Sequence, residues 1–156
     1  MYGYIYQKSK TEDFDSILSL TNQLYKAEQP FDKNIKDGYY NTEKGRKELL
    51  KDIKARKKLF FVAVLDNNIV GFVDGFIINK EDVYIEKIAY LDRISVDSKY
   101  KNKGIGSQLL NHFTSVVRDK GAKYIKLNAF KNNIPAISLY EKNDFNEYSI
   151  FYMKKI

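Results

Sequence analysis

The segment of this 156-residue chain with the clearest chemical potential is a basic loop that contains Gly104 and Gly106. It follows an apolar run that ends at Val96 and leads directly into an amphipathic stretch. The pattern predicts a strand, a loop and the first turn of a helix, where free backbone N–H groups and the helix dipole attract anions. Glycines let phosphate oxygens approach the backbone, and Lys101 and Lys103 add positive charge. The segment therefore predicts a site for a phosphate-containing ligand.

Two widespread phosphate-binding motifs do not fit this loop. A P-loop ends in Gly-Lys-Ser/Thr, whereas Ser107 and Gln108 follow Gly106. A dinucleotide fingerprint needs a small third residue, and that position is Leu109. Two glycines alone also fit an ordinary helix entry, so the interpretation depends on the surrounding sequence.

The longer stretch resembles motif A of the GNAT acetyltransferase superfamily, a strand followed by Arg/Gln-x-x-Gly-x-Gly/Ala and a long helix. Residues 101–106 match its spacing, with Lys101 in place of the usual Arg or Gln. Lysine keeps the charge and loses the bidentate fork. The resemblance implies that acetyl-CoA is the cosubstrate and that its pyrophosphate binds mainly to backbone amides. The implied cofactor residues here are Ile94, Ser95, Val96, Lys101, Asn102, Lys103, Gly104, Ile105, Gly106 and Ser107.

A second segment, Asn133-x-x-Ala136-x-x-x-Tyr140, is similar to the family's Asn-x-x-Ala-x-x-x-Tyr signature and lies one helix and one strand further on. The resemblance implies that Asn133 and Ala136 bind the cofactor and that Tyr140 protonates the departing thiolate. A phenol with a pKa near 10 can donate to such a sulfur. The alternative is a helix aromatic packed in the core. Asp144 replaces the usual glycine after this helix.

The resemblance implies direct attack of a primary amine on acetyl-CoA. An alkylamine with a pKa near ~10.4 must lose a proton first, which costs roughly 4.6 kcal/mol at pH 7. Asp92 is our candidate proton acceptor, because polyamine acetyltransferases carry a carboxylate at the matching position, and Glu86 is the reserve. Arg93 replaces the acid that follows in those enzymes, which argues against a polyamine. Asp92 could instead pair with Arg93, Lys87 or a backbone amide. Backbone N–H groups near residues 94–96 are expected to stabilise the oxyanion.

The elements that must position these residues follow from hydrophobic periodicity. The predicted order is β-α-α-β-β-β-α-β-α-β, a mixed α/β sandwich with helices on both faces of one sheet. Residues 104–120 carry the clearest amphipathic stripe, with His112 on its polar, solvated side. The remaining predictions are helices capped by Thr11 and Thr42, a hairpin around residues 66–68, strands at 84–96, 124–130 and 145–153, and an exposed basic helix face at 51–58.

Composition narrows the function classes. The chain has no cysteine and one histidine, which excludes disulfides, thiolate nucleophiles and cysteine metal sites and leaves no histidine cluster, so we expect no metal. No apolar run approaches a membrane span. We therefore expect one intracellular, cytoplasmic domain over residues 1–156 without a membrane partner. The net charge of +7 suits a multiply anionic ligand or nucleic acid.

Four functions remain open. The first is N-acetylation of a small-molecule amine, and the second is acetylation of a protein or peptide amine. In both, residues 28–40 could border the acceptor; an ordinary surface loop is the alternative. The third is a CoA-binding sensor without catalysis. The fourth is a nucleic-acid module, for which no recognisable motif is present, so we expect no nucleic-acid partner. A homodimer is compatible with the resemblance.

Overall fold

The computed structural model describes residues 3–78 and 83–156. Its five-stranded sheet follows chain order, with β1 to β4 antiparallel and β5 parallel to β4. Within the described ranges, no helix is both long and apolar enough to cross a membrane. The strands are β1 (Ile5–Lys8), β2 (Lys58–Leu65), β3 (Asn68–Ile78), β4 (Ile88–Val96) and β5 (Tyr124–Lys126). The α-helices are α1 (Phe14–Glu28), α2 (Glu43–Lys54), α3 (Ile105–Asp119) and α4 (Ile134–Glu141).

Two apolar cores cover the two faces of the sheet. On one face, α1 and α2 bury Ile17 and Leu49 against Phe60 and Phe72. The other face is covered by α3, through the apolar stripe that its sequence periodicity predicts. The predicted mixed α/β architecture, with helices on both faces of one sheet, is confirmed. The helix α3 thereby fixes its N-terminus at the end of β4, where the glycine loop begins.

Local sequence explains most element boundaries. Asp66 and Asn67 adopt positive φ angles of 47° and 63° in the predicted hairpin turn, as Asp and Asn tolerate better than other non-glycine residues. The Thr42 side chain accepts a hydrogen bond from the Gly45 N–H and caps α2, as expected. The prediction for Thr11 is wrong, because residues 11–13 form a short 3₁₀ turn and α1 begins only at Phe14.

Three strand predictions need correction. The fourth strand begins at Ile88 instead of residue 84, and the fifth ends at Lys126 instead of residue 130. The expected final strand at 145–153 does not form within this chain. The reason is that strand-forming residues make a strand only where a neighbour offers backbone partners, and in all three places the pairing stops.

The prediction that His112 is solvated is also wrong. Its ring lies 4.8 Å from the ring of Phe61 and 6.2 Å from that of Tyr6, between α3 and the first two strands. Burial lowers the pKa of His112, so the neutral imidazole predominates at pH 7. The residues next to His112 in the sequence are polar, so the sequence alone does not show that α3 extends over β1 and β2 at this position.

Candidate active site

The N-terminus of α3 forms an open cradle of backbone amides. Gly104 has a φ of 78°, a left-handed conformation that a side chain disfavours, and a Cβ there would meet no atom within 4 Å. In the described part of the chain, the N–H groups of residues 101–107 have no hydrogen-bond acceptor. Such amides, together with the helix dipole, match the oxygens of a phosphate group. The predicted loop therefore fits the pyrophosphate of CoA.

Gly106 also has a packing function that the sequence analysis did not predict. A Cβ at this position would lie 3.2 Å from Cδ2 of Leu139, so the absence of a side chain lets α4 pack against α3. Beside it, the amide of Asn143 donates to the Ser107 hydroxyl at 3.0 Å. The first turn of α3 and the end of α4 are thus joined directly. The cofactor cradle and the helix that carries Tyr140 form one packed unit.

Positive charge surrounds the cradle. Lys101 and Lys103 are exposed, and neither forms an ion pair with a carboxylate in the ranges that the structure describes. The Lys103 ammonium lies 5.2 Å from the centre of the Tyr100 ring. The nearby Asp97 carboxylate accepts from the backbone N–H of Lys99 and from the Gln23 amide, which lower its pKa. Because Lys101 and Lys103 have no carboxylate partner in the described ranges, both can bind an anionic ligand.

The sheet opens beside this cradle. In the pairing with β3, Asp74 lies opposite Arg93 and Gly75 opposite Leu91, which leaves Asp92 as the extra residue of a β-bulge. The pairing with β5 extends only from Ile88 to Tyr90. Among the residues that the structure describes, the edge of β4 that faces β5 has no strand partner beyond Tyr90. Those backbone N–H and C=O groups of residues 91–96 that point away from β3 therefore line an opening, where an extended ligand can pair with them.

Tyr140 lies beside this opening on α4. Its ring packs edge-on against Phe145 with centroids 5.9 Å apart. No described residue forms a hydrogen bond with the Tyr140 hydroxyl, so the phenol remains available as a donor. Burial raises the pKa of Tyr140 to about 12, with further contributions from the negative charges of Glu28 and ionised Tyr90. The phenol is therefore protonated at neutral pH, as a proton donor must be.

Sequence reasoning did not single out Glu28, the last residue of α1, as a site residue. It is half-buried, and its side chain forms neither a hydrogen bond nor an ion pair with the described residues. Burial raises its pKa. A carboxylate at a helix C-terminus opposes the helix dipole, and this unfavourable placement is the sequence signal that could have identified it. Glu28 lies near enough to Tyr140 for its negative charge to contribute to the raised pKa of that phenol.

Asp92 lies at the bulge, in contact with a partner that the sequence did not indicate. The Lys58 ammonium donates to its carboxylate at 2.6 Å, whereas Arg93, Lys87 and the backbone amides do not. The side chain of Asp92 remains 39% exposed, so a solute can still reach it.

Residues 51–58 were expected to form an exposed basic helix face, and this expectation is wrong at the C-terminal end of the run. Lys58 begins β2 instead of continuing the helix, and its side chain is only 13% exposed.

Arg93 faces the helices α1 and α2 and does not border the opening. Its guanidinium donates to both Asp74 oxygens, at 3.0 and 2.6 Å, and to Asp52 at 2.8 Å. Burial alone would lower the pKa of Arg93. The carboxylate of Asp74, which is fully buried, outweighs this effect and raises the pKa of Arg93 above its ordinary value. The ion pairs join three carboxylates to two cationic side chains, so the formal net charge of the group is negative: Asp52, Asp74 and Asp92 with Lys58 and Arg93. We call these five residues the charge cluster.

Side-chain contacts join the segments that follow α1 and β5, and link the segment after β5 to β4. Phe31, after α1, stacks on Phe130, after β5, with centroids 6.1 Å apart. The Asn128 amide donates to the Tyr90 hydroxyl at 2.8 Å and connects the diverging ends of β4 and β5. The segment after α1 thus contacts the segment after β5.

The remaining predicted site residues differ in what their side chains contact. The Asn133 side chain accepts from the Ala136 N–H at 3.3 Å and caps α4, so its oxygen is engaged while its amide N–H groups remain free. Ser95 donates from its hydroxyl to the Leu20 carbonyl on the α1 face. Ile94 packs with the α3 core. Glu86 is exposed in the turn before β4, six positions before Asp92.

An amide cradle for phosphates, an opened sheet edge and a protonated phenol together define an enzyme that transfers an acyl group from a CoA thioester. The chain belongs to the acetyltransferase (GNAT) family, whose model matches residues 20–145. It is an acetyl-CoA-dependent N-acetyltransferase, and the expected cosubstrate is confirmed.

Similar proteins agree with this assignment and differ in their acceptors. An N-alpha-acetyltransferase from Saccharolobus solfataricus is 27% identical over 150 residues, which are 92% of this chain and 81% of that protein. The BH1408 protein from Bacillus halodurans (a tetramutant) has the same fold, with a TM-score of 0.88, 15% identity and coverage of 97% and 99%. The aminoglycoside N-acetyltransferase AAC(6')-Iy, solved with CoA, has a TM-score of 0.77, 17% identity and coverage of 100% and 97%.

Proposed function

We propose that the protein acetylates a primary amine of a small molecule. The observation that carries this proposal is the charge cluster beside the β4 bulge, which is net negative in a chain whose total charge is +7. A local carboxylate surplus attracts an alkylammonium ion, and Asp92 is the member that solvent reaches most easily. The neutralised Arg93 no longer argues against a polyamine, because its charge is matched within the cluster.

Acetyl-CoA supplies the acetyl group as a reactive thioester. In the proposed reaction, the amine nitrogen forms a bond to the acetyl carbon and the carbon–sulfur bond breaks. Asp92 accepts the proton that the amine loses, and Tyr140 gives its proton to the sulfur. The reserve for Asp92 is Glu86. The backbone amides of residues 94–96 stabilise the charge on the acetyl oxygen, as preorganised donors do.

The residues proposed to hold acetyl-CoA are those of the cradle and of the α4 cap. The pyrophosphate binds the free amides and nearby lysines of the loop, and the pantetheine arm pairs with the open edge of β4. The free amide N–H groups of Asn133 contact that arm beside Ala136. The cradle residues are Lys101, Asn102, Lys103, Gly104, Ile105, Gly106 and Ser107. The whole of residues 1–156 acts as one acetyltransferase domain, in the cytoplasm where acetyl-CoA is made and used, without a nucleic-acid or membrane partner.

A second candidate acceptor is the N-terminal amine of a protein or peptide. It is supported by the relative named N-alpha-acetyltransferase, which matches 92% of the chain. We take the contact between Phe31 and Phe130, which joins the segment after α1 to the segment after β5, to favour the small molecule over a peptide.

Mass spectrometry of reaction products distinguishes these candidates. Purified protein and acetyl-CoA are incubated with a pool of small amines, including polyamines and aminoglycosides, and separately with a pool of peptides with free N-termini. We expect acetylated products in the first pool. Products in the peptide pool alone would replace the small-molecule proposal by the second candidate. Calorimetry with acetyl-CoA, and with adenosine as the control, tests the cradle: binding without turnover in either pool would indicate a CoA-binding sensor.

A further inference from the structure

The turn that leads into the cradle is bound to α1 by the side chain of Gln23. The amide N–H of Gln23 donates to the Asp97 carboxylate at 3.2 Å. Its carbonyl oxygen accepts from the backbone N–H of Ser98, also at 3.2 Å. Asp97 and the 3₁₀ turn Ser98–Tyr100 directly precede the cradle, and we call residues 97–100 the entry turn. One side chain thus connects the middle of the chain's first α-helix to the start of the cradle.

The two contacts of Gln23 require an amide. A backbone N–H can only donate, and an ionised carboxylate can only accept. The side chain between them must therefore present one acceptor and one donor, which glutamate, lysine and leucine do not. The backbone N–H of Lys99, followed by the Gln23 amide, lowers the pKa of Asp97, so this carboxylate is ionised at neutral pH. The direction of each hydrogen bond is therefore fixed.

The cradle depends on what holds its two ends. In the part of the chain that the structure describes, the N–H groups of residues 101–107 have no acceptor, so they do not fix the loop before a ligand binds. At one end α3 begins, with a bond from the Gln108 N–H to the Gly104 carbonyl at 3.1 Å. At the other end, the Tyr100 N–H donates to the Asp97 carbonyl at 2.8 Å within the entry turn. Donors that are already ordered bind a ligand at a lower cost than donors that must first be ordered.

We propose that Gln23 is a positioning residue for acetyl-CoA: it holds the entry turn against α1 and thereby directs the amides of the cradle towards the pyrophosphate. This inference rests on the proposed cradle. A second contact supports it, because the Ser95 hydroxyl donates to the Leu20 carbonyl at 3.1 Å and binds the end of β4 to the same helix. The helix that ends at Glu28 therefore also positions the cofactor site.

Reversing the direction of the hydrogen bond tests the role of Gln23. Gln23→Glu places two carboxylates against each other, and Asp97→Asn places two amide donors against each other. Each single variant should raise Kd for CoA, measured by calorimetry, about 10-fold, since a bond to a charged group is lost. In the double variant Gln23→Glu/Asp97→Asn, the new asparagine donates to the new glutamate. Its Kd should return to within about threefold of the wild-type value.

Two of the variants separate positioning from charge. Asp97→Asn removes a negative charge near an anionic ligand, so charge alone predicts tighter binding, whereas lost positioning predicts weaker binding. Asn22→Asp adds the same charge to α1 as Gln23→Glu, at a residue whose amide donates to Asn41 instead, and it should bind CoA like wild type. Tighter binding by Asp97→Asn would overturn the inference, as would a double variant that binds no better than Gln23→Glu.

Titrations of the wild type separate this inference from the cradle itself. Adenosine and pantetheine are fragments of CoA that lack the pyrophosphate. If CoA binds no more tightly than either fragment, the cradle fails and the role of Gln23 fails with it. If CoA binds far more tightly and the single variants keep the wild-type Kd, only the role of Gln23 is refuted. Thermal unfolding confirms that each variant is folded during titration, and a lower Tm with an unchanged Kd would make Gln23 purely structural and overturn the inference.

Discussion

The carboxylate of Asp92 lies 2.6 Å from the ammonium of Lys58, which also lies 3.1 Å from the buried Asp74. Burial disfavours the charge on Lys58, but Asp74 and Asp92 outweigh burial and raise its pKa. Lys58 thus stays protonated and holds the Asp92 carboxylate in position at the β-bulge. An amine that approaches Asp92 enters a site where an ammonium group already binds.

Replacing Asp92 by asparagine should lower kcat for a small amine about 10²-fold, because the variant can no longer accept the proton. The binding of acetyl-CoA, measured by calorimetry, should not change. The matched control is Asp52→Asn, which removes the same charge from a residue that pairs with Arg93. It should raise KM for the amine and leave kcat nearly unchanged. Equal kcat values for wild type and Asp92→Asn would remove Asp92 from the mechanism.

Tyr140→Phe keeps the packing against Phe145 and removes only the hydroxyl. We expect kcat to fall about 10²-fold with unchanged acetyl-CoA affinity, since the thiolate loses its proton donor. Because burial raises the pKa of Tyr140 to about 12, the phenol stays protonated throughout the usual assay range. The wild-type rate should therefore show no alkaline decline from this group below about pH 11. Tyr124→Phe, on the exposed edge strand, is the control and should behave like wild type.

Glu28 should influence how the amine binds at different pH values. Its carboxylate attracts an ammonium ion only when ionised, and burial raises its pKa. As the pH falls through that raised pKa, Glu28 becomes neutral, and KM for the amine should increase. In Glu28→Gln, KM should be high and should lose this dependence on pH. Glu147→Gln, in the exposed segment after α4, is the control. Steady-state kinetics across the acidic range would contradict the prediction if the two variants gave the same profile.

The two glycines of the cradle should respond differently to alanine. Gly104→Ala forces a side chain into a left-handed conformation, which costs roughly 1–2 kcal/mol, and thermal unfolding should show this loss. Gly106→Ala pushes on Leu139 in α4, so it should reduce kcat through a displaced Tyr140. The corresponding measurement is turnover at saturating acetyl-CoA. Gly3→Ala, at a position with no atom within 4 Å of the added carbon, is the control for both.

The charge cluster should contribute strongly to stability. Asp74→Ala leaves the buried Arg93 without its main partner, so the free energy of unfolding should fall by about 3–5 kcal/mol. Denaturant unfolding measures this change. Asp92→Ala removes a carboxylate that is 39% exposed, and it should cost much less. Comparable losses of unfolding free energy in the two variants would show that burial does not determine how much each carboxylate of the charge cluster contributes to stability.

The sequence predicts the parts of this fold that depend on local pattern. The stripe of α3, the Asp66-Asn67 turn and the Thr42 cap follow from residues close together in the chain, and the structure confirms them. The partner of Asp92 could not be foreseen, because Lys58 is 34 positions away and meets it only across three strands. His112 illustrates the same limit, since its aromatic neighbours come from β1 and β2.

The cofactor motifs were recognisable because backbone conformation dictates their residue types. A left-handed helix entry favours glycine at position 104, and the α4 cap favours Asn133. The residues proposed to border the acceptor have no such constraint. Glu28 and Phe31 lie close together in the chain, whereas Phe130, which stacks on Phe31, follows β5 and meets it only in the folded chain. The missing final strand has a related cause, because residues 145–153 have a strand-favouring composition but pair with no strand in the part of the chain that the structure describes.

The contact between Gly106 and Leu139 has a consequence for how this enzyme could diversify. It couples the cradle to the helix that carries Tyr140, whereas the segment from Glu28 to residue 41 belongs to neither element. If this segment borders the acceptor as proposed, substitutions in it should change substrate preference while the contact between α3 and α4 is preserved. A library confined to residues 28–41 would be the efficient route to an enzyme with a new acceptor.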